Sequence, residues 1–117
     1  MNRDEYRARL SFCDMTGTDV IRMLEEKGIR CDKQRLAHAL SGERKASLDR
    51  ILQAADEVTL LKTRHLKAET ERRVSEELGG MGIKGRVEVV IPAPYLIPIK
   101  LDGELFGLYD RRTGRMM

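Results

Sequence analysis

At Gly79-Gly80-Met81-Gly82 the hydrophobic period of the chain changes, and this change limits what it can fold into. Before the glycines, apolar residues recur three and four positions apart, the spacing of an amphipathic helix. After them, Arg86-Val-Glu-Val-Val-Ile91 is rich in β-branched residues and begins by alternating, as a strand does. An α+β chain follows, with helices first and a small antiparallel β appendage last. At 117 residues, 41% hydrophobic and 35% charged, it has material for a modest core that oligomerisation would complete.

The helical part divides further. Asp4 to Leu10 is a helical candidate, with Tyr6 and Leu10 four apart. Thr16-Gly-Thr is a break, and Thr18 is placed to cap the next helix with its hydroxyl. Val20, Ile21, Met23 and Leu24 form that helix's stripe, and Gly28 ends it in a left-handed backbone conformation. Ile29 then packs back on the stripe. Asp32 caps a helix from Lys33 to Leu40 with Leu36, Ala39 and Leu40 inward, and Ser41-Gly42 stops it. Glu43 to Ala46 is a loop, and Ser47 caps a helix that runs about 30 residues by its end signals. Leu48, Ile51, Leu52, Ala55 and Val58 make its core stripe, continued by Leu61, Leu66, Val74 and Leu78. Its charged second half, Lys62 to Glu77, reads as a connector or as one strand of a loose coiled pairing. The expected organisation is residues 1–60 as a helical unit, 61–80 as a helical connector and 81–117 as the appendage.

In the appendage, Pro92-Ala-Pro94 ends the first strand. Asp102-Gly103 joins Tyr95–Leu101 to Glu104–Tyr109, since Asp-Gly favours a two-residue turn with both φ angles positive. Pro98 implies an edge strand or a bulge, because it cannot donate to a ladder. Arg111 onward is a basic tail with no structure expected. So few strands are marginal alone, which points to a homodimer paired through Val87, Val89, Ile91, Leu96, Ile99, Leu105, Phe106, Leu108 and Tyr109.

Charge is concentrated in one place. Between Gly28 and Arg50 there are six Lys or Arg against three acids, and this window alone carries the +3 of the whole chain. A local basic patch fits nucleic acid better than a diffuse one does. Two short helices joined by Gly28-Ile29-Arg30-Cys31, the second presenting Lys33, Gln34, Arg35 and His38 opposite an apolar back, have the pattern of a helix–turn–helix. Glutamine can pair bidentately with adenine, arginine with guanine, and histidine can donate or accept at a base edge. Those four residues are the candidate base readers; Arg30, Ser41, Arg44, Lys45 and Ser47 are the candidate phosphate contacts. The bland alternative is a helical bundle with a solvated polar surface.

From Thr18 to Val58, and best over Leu36-Ala-His-Ala-Leu-Ser-Gly-Glu-Arg-Lys-Ala-Ser-Leu-Asp-Arg-Ile-Leu, the chain resembles the Cro/repressor-like (Xre-type) helix–turn–helix family of phage and mobile-element regulators. The resemblance implies that Lys33 to Ser41 enters the major groove and that Arg44 and Lys45 touch the backbone. Double-stranded DNA is then the expected partner, and a dimeric repressor on an inverted repeat the expected function. A second class of reading makes the β appendage a protein-interaction module, as in an antitoxin or an inhibitor of a host defence complex, gripping its partner through its strands and Tyr95, Phe106 and Tyr109.

Other chemistry finds little support. Gly80-Met-Gly82-Ile-Lys-Gly85 matches a dinucleotide fingerprint literally, but here a helix precedes and a strand follows, the reverse of the order needed. Cys13, Cys31, His38 and His65 lack metal-ligand spacing. No nucleophile elbow or spaced carboxylate pair is present, so no catalytic residue, enzyme activity, metal or cofactor is expected. Cys31, beside Arg30 and Lys33, is a candidate reactive thiol. A charged N-terminus and the lack of a bilayer-length apolar run suggest a cytoplasmic protein with no membrane partner.

Overall fold

A computed structural model describes residues 1–91 and 95–117. The chain is α+β and forms two compact units, Met1–Thr63 and Arg64–Met117. The strand end assigned to Pro92-Ala93-Pro94 lies outside the described residues.

The first unit contains α1 (Arg3–Cys13), α2 (Gly17–Glu26), α3 (Lys33–Leu40) and the first half of α4 (Ala46–Gly80). Its core gathers Tyr6 from α1, Val20 and Leu24 from α2, Cys31 from the turn, Leu36 and Ala39 from α3, and Leu48, Ile51, Ala54, Ala55 and Val58 from α4. Apart from Cys31 and Ala54, these lie on the stripes read from the periodicity, with Ile21, Met23, Ile29, Leu40 and Leu52 half-buried at their margins.

Helix ends account for most local differences from expectation. The cap of α2 is Thr16 and not Thr18. The Thr16 hydroxyl accepts from the Asp19 N–H, and the Asp19 carboxylate accepts from the Thr16 N–H at 2.8 Å. This reciprocal box satisfies two donors that the Thr18 assignment would leave open. At the other end, Gly28 has φ 79°, the Ile29 N–H donates to the Leu24 carbonyl and the Gly28 N–H to that of Glu25. That is a Schellman closure, and it fixes the entry into the turn. Asp32 caps α3 as expected, its carboxylate accepting from the Arg35 N–H at 2.7 Å. Ser47 does not cap α4: the helix begins at Ala46, and the Lys45 carbonyl accepts from the N–H groups of Leu48 and Asp49.

Along the middle of α4 the buried stripe is carried by Thr59, Thr63 and Thr70, while Leu61 is 71% exposed. The Thr59 hydroxyl donates to the Ala55 carbonyl and the Thr63 hydroxyl to the Thr59 carbonyl, each at 2.7 Å. With the hydroxyl satisfied one turn back, the methyl group can be buried at little cost.

In the second unit, α4 contributes the buried Val74 and Leu78. The sheet contains β1 (Val87–Val89), β2 (Leu96–Leu101), β3 (Glu104–Asp110) and β4 (Arg115–Met116), in that order and all antiparallel. Asp102 and Gly103 have φ 53° and 85°, the two-residue turn that Asp-Gly favours. Pro98 does not sit on an edge. It lies in β2, between β1 and β3, one residue before the register shift at Ile99/Lys100. Its carbonyl accepts from the Val90 N–H, but it has no N–H to return. The β1 ladder therefore stops at Val89, which is why Val90 and Ile91 fall outside the strand. The basic tail is also structured: Arg115 and Met116 pair with Asp110 and Tyr109, and the Met117 N–H donates to the Leu108 carbonyl.

Val89, Ile97, Ile99 and Tyr109 are buried on one face of this sheet. Val89, Ile99 and Tyr109 are thus covered within this unit and present no free surface for pairing. Val87 and Ile91 are half-buried. Among the described residues no helix is long and apolar enough to cross a membrane.

Candidate functional site

The eight residues of α3 make less than three turns, so its faces follow directly from a 100° step. Leu36 and Ala39 point into the core. Gln34, His38 and Ser41 fall opposite them, in the middle of the exposed side. Lys33 lies on one flank and Arg35 on the other. All five are exposed. The four candidate base readers thus share one short helix but not one direction. Gln34 and His38 form its ridge, while Lys33 and Arg35 border it.

Each flank has its own surroundings. Lys33 lines a depression of about 510 Å³ with Tyr6, Thr16, Gly17 and Thr18, at the start of α2. The Tyr6 hydroxyl is buried and has no hydrogen-bond partner among the described residues, and burial raises its pKa above the ordinary phenol value, with Cys31 adding to the shift. On the opposite flank, Arg35 lines a small pocket of about 190 Å³ with Arg30, Ser47 and Arg50. This pocket joins the turn before α3 to the first turns of α4.

The remaining candidates lie around the C-terminal end of α3. Ser41 caps the helix, and its hydroxyl donates to the His38 carbonyl at 2.7 Å, so that proton is not available to a phosphate. A carboxylate oxygen of Glu43 sits 4.0 Å from His38 Nδ1. Arg44 and Lys45 are exposed between α3 and α4 and make no ion pair among the described residues. Three other cations of this unit are paired: Arg9 with Asp56, Arg22 with Asp19, and Lys27 with Glu57. The uncompensated positive charge of the first unit therefore includes the flank and loop of α3.

Cys31 is not the reactive thiol its cationic neighbours suggested. It is buried, its thiol donates to the Asp32 carbonyl, and burial together with the Asp32 charge raises its pKa despite a smaller opposing effect of Arg35. A raised pKa lowers the thiolate fraction at neutral pH.

Arg50 was counted in the basic window but not among the phosphate contacts. It stands three residues after Ser47 on α4, a spacing that puts both on one helix face, and this was the available signal. The depression at Lys33 was not legible, because it depends on how α1 and α2 meet α3.

The sheet carries a second surface. Leu96, Leu105, Phe106 and Leu108 are exposed, as are Tyr95 and Met117, and the Arg112 guanidinium stacks over the Tyr95 ring at 4.9 Å. Leu96 and Leu108 alternate with the buried Ile97 and Tyr109, so they occupy the opposite face. The register shift at Ile99/Lys100 places Phe106 next to Leu105 there.

Among the described residues no group of three His, Cys, Asp or Glu could hold a metal ion. Comparison of the chain with family models, with curated proteins and with solved structures gives no match.

Proposed function

We propose that this chain is a sequence-specific DNA-binding regulator of transcription, a dimeric repressor of the phage or mobile-element kind acting in the cytoplasm. The observation that carries the reading is α3 itself: a short capped helix, anchored by Leu36 and Ala39, whose exposed ridge is Gln34 and His38 between two cationic flanks. Polar ridge residues suit base edges in a major groove, and flanking cations suit the phosphates on either side of it. Arg44 and Lys45 extend the positive surface past the end of the helix. Phosphate contacts set the register of the helix on the duplex; Gln34 and His38 then discriminate among sequences. A dimer whose two α3 helices are related by a two-fold axis would read half-sites about 34–36 Å apart and repress by covering a promoter.

Dimerisation is assigned to the exposed face of the sheet, through Leu96, Leu105, Phe106 and Leu108. The same face supports a second reading, a protein-interaction module with a foreign partner on these residues. Exposed apolar side chains grouped on one sheet face are a cost in water that either partner relieves. Changing Leu105 and Leu108 together to Glu separates the two readings. A monomer in solution supports self-pairing; an unchanged dimer frees the face for another protein.

The test of the main reading is selection of binding sites from a random duplex library with the purified chain, with its mass in solution measured alongside. Enrichment of an inverted repeat bound by a dimer supports the proposal. Weak, salt-sensitive binding without enrichment contradicts it.

A further inference from the structure

We propose that Arg30, Arg35, Arg50 and Ser47 form a binding site for a single phosphate group. They come from three places in the chain, the turn before α3, α3 itself and the start of α4, and they line one pocket. The rest of its lining is Gly28, Ile29 and Ile51, so it contains no acidic residue. None of the three arginines makes an ion pair or a side-chain hydrogen bond among the described residues. Each guanidinium carries a positive charge, so three positive charges border one space whose lining includes no carboxylate. Such an arrangement is electrostatically unfavourable until an anion enters.

The chemistry of the lining selects the anion. Guanidinium groups present paired N–H donors that match two oxygens of a phosphate, and the Ser47 hydroxyl can supply a further donor. Size limits the ligand to one such group. The pocket holds about 190 Å³, below the roughly 300–1,000 Å³ typical of sites that enclose a whole small molecule. A neighbouring space of about 670 Å³ shares Gly28, Arg30 and Arg35 but adds Glu25 and Asp32. Those carboxylates would repel a second phosphate, so the phosphate belongs in the smaller pocket. It can arrive from either of two sources, the backbone of a duplex lying along α3 or a free phosphorylated small molecule. The first source deepens the DNA-binding proposal; the second does not depend on it.

The experiment is a titration of the full chain with inorganic phosphate, followed by amide and guanidinium resonances, with sodium chloride adjusted to hold ionic strength constant. Saturable shifts confined to residues 28–35 and 47–51 are expected, with affinity reduced at least tenfold in Arg50→Gln and only partly restored in Arg50→Lys. Arg50 is exposed, and an otherwise superimposable spectrum for each variant shows that the fold is kept. Shifts that do not saturate, or that are the same in wild type and Arg50→Gln, overturn the site. Duplex binding by the same variant identifies the source. A uniform loss of affinity on all sequences, with a salt slope smaller by about one, indicates a backbone phosphate. Unchanged duplex binding beside saturable phosphate binding supports a free phosphorylated ligand. If phosphate binds and no duplex does, the pocket stands and the DNA-binding proposal falls.

Discussion

Arg9 of α1 reaches Asp56 of α4 at 2.5 Å, across 47 positions of sequence. The same guanidinium donates to the Asp56 carbonyl and to the Thr59 hydroxyl, and its side chain is only 16% exposed. Arg9 thereby fastens the first helix to the long one through three acceptors. A part-buried, charge-assisted hydrogen bond is worth more than a fully exposed ion pair. Arg9→Ala is expected to destabilise the first unit by about 1–3 kcal/mol in urea unfolding. A double-mutant cycle with Asp56→Ala should give a coupling of at least about 0.5 kcal/mol; strictly additive losses would remove the pairing from the account.

Tyr6 makes the opposite prediction. Its hydroxyl is buried without a hydrogen-bond partner among the described residues, so folding strips its water and returns no bond from them. Tyr6→Phe is expected to leave the melting temperature unchanged or raise it, with a gain of up to about 1 kcal/mol. A clear loss of stability would mean that the hydroxyl is hydrogen-bonded in solution.

Asp19 links the cap of α2 to pH. Its pKa lies below the ordinary carboxylate value, because the Thr16 N–H and hydroxyl donate to it, with Arg22 also favouring the charged form. With the folded pKa depressed, the stabilisation is present above the unfolded value of about 3.9 and is lost as pH falls through the folded value. Thermal unfolding of the wild type should therefore lose more stability on acidification through this window than Asp19→Asn does. Parallel curves would contradict the cap.

Arg44 and Lys45 lie in the exposed segment between α3 and α4, unpaired by any acid among the described residues. Arg44→Ala combined with Lys45→Ala should weaken binding to all duplexes alike and flatten the dependence of log affinity on log salt by about two. An unchanged slope would exclude both from the phosphate contacts.

Much of this molecule was legible in the sequence where one local rule decides the outcome. Asp32 before an apolar-periodic run, Gly28 after one, and Asp102-Gly103 between two strands each specify backbone geometry within a few residues, and the structure follows them. The stripes of α2, α3 and early α4 were readable for the same reason. What was hidden depends on partners. Thr59 and Thr63 look polar until their hydroxyls are seen bonded to carbonyls one turn back. Pro98 is compatible with an edge strand or a bulge in the sequence, and only the pairing, with a register shift at Ile99/Lys100 and the end of β1 opposite, decides against the edge. Arg115 and Met116 look like a loose tail because two residues carry no periodicity, and β4 exists only through its pairing with Tyr109 and Asp110. At the candidate site, the exposure of Lys33, Gln34, Arg35 and His38 was legible. Their division into a ridge and two flanks follows from the 100° step along the helix, whereas the joining of Arg35 to Arg50 required the packing of α3 against its neighbours.

The central claim is that the ridge of α3 reads bases, and Gln34 and His38 test it most directly. Binding-site selection from a random duplex library should be run side by side on the wild type, Gln34→Ala and His38→Ala, all exposed-site variants that leave the core untouched. The account predicts one enriched motif for the wild type, and for each variant the loss of preference at one or two positions within every half-site, at a cost of about 1–3 kcal/mol for the original sequence. Identical motifs from all three proteins, or no enrichment from the wild type, would contradict it.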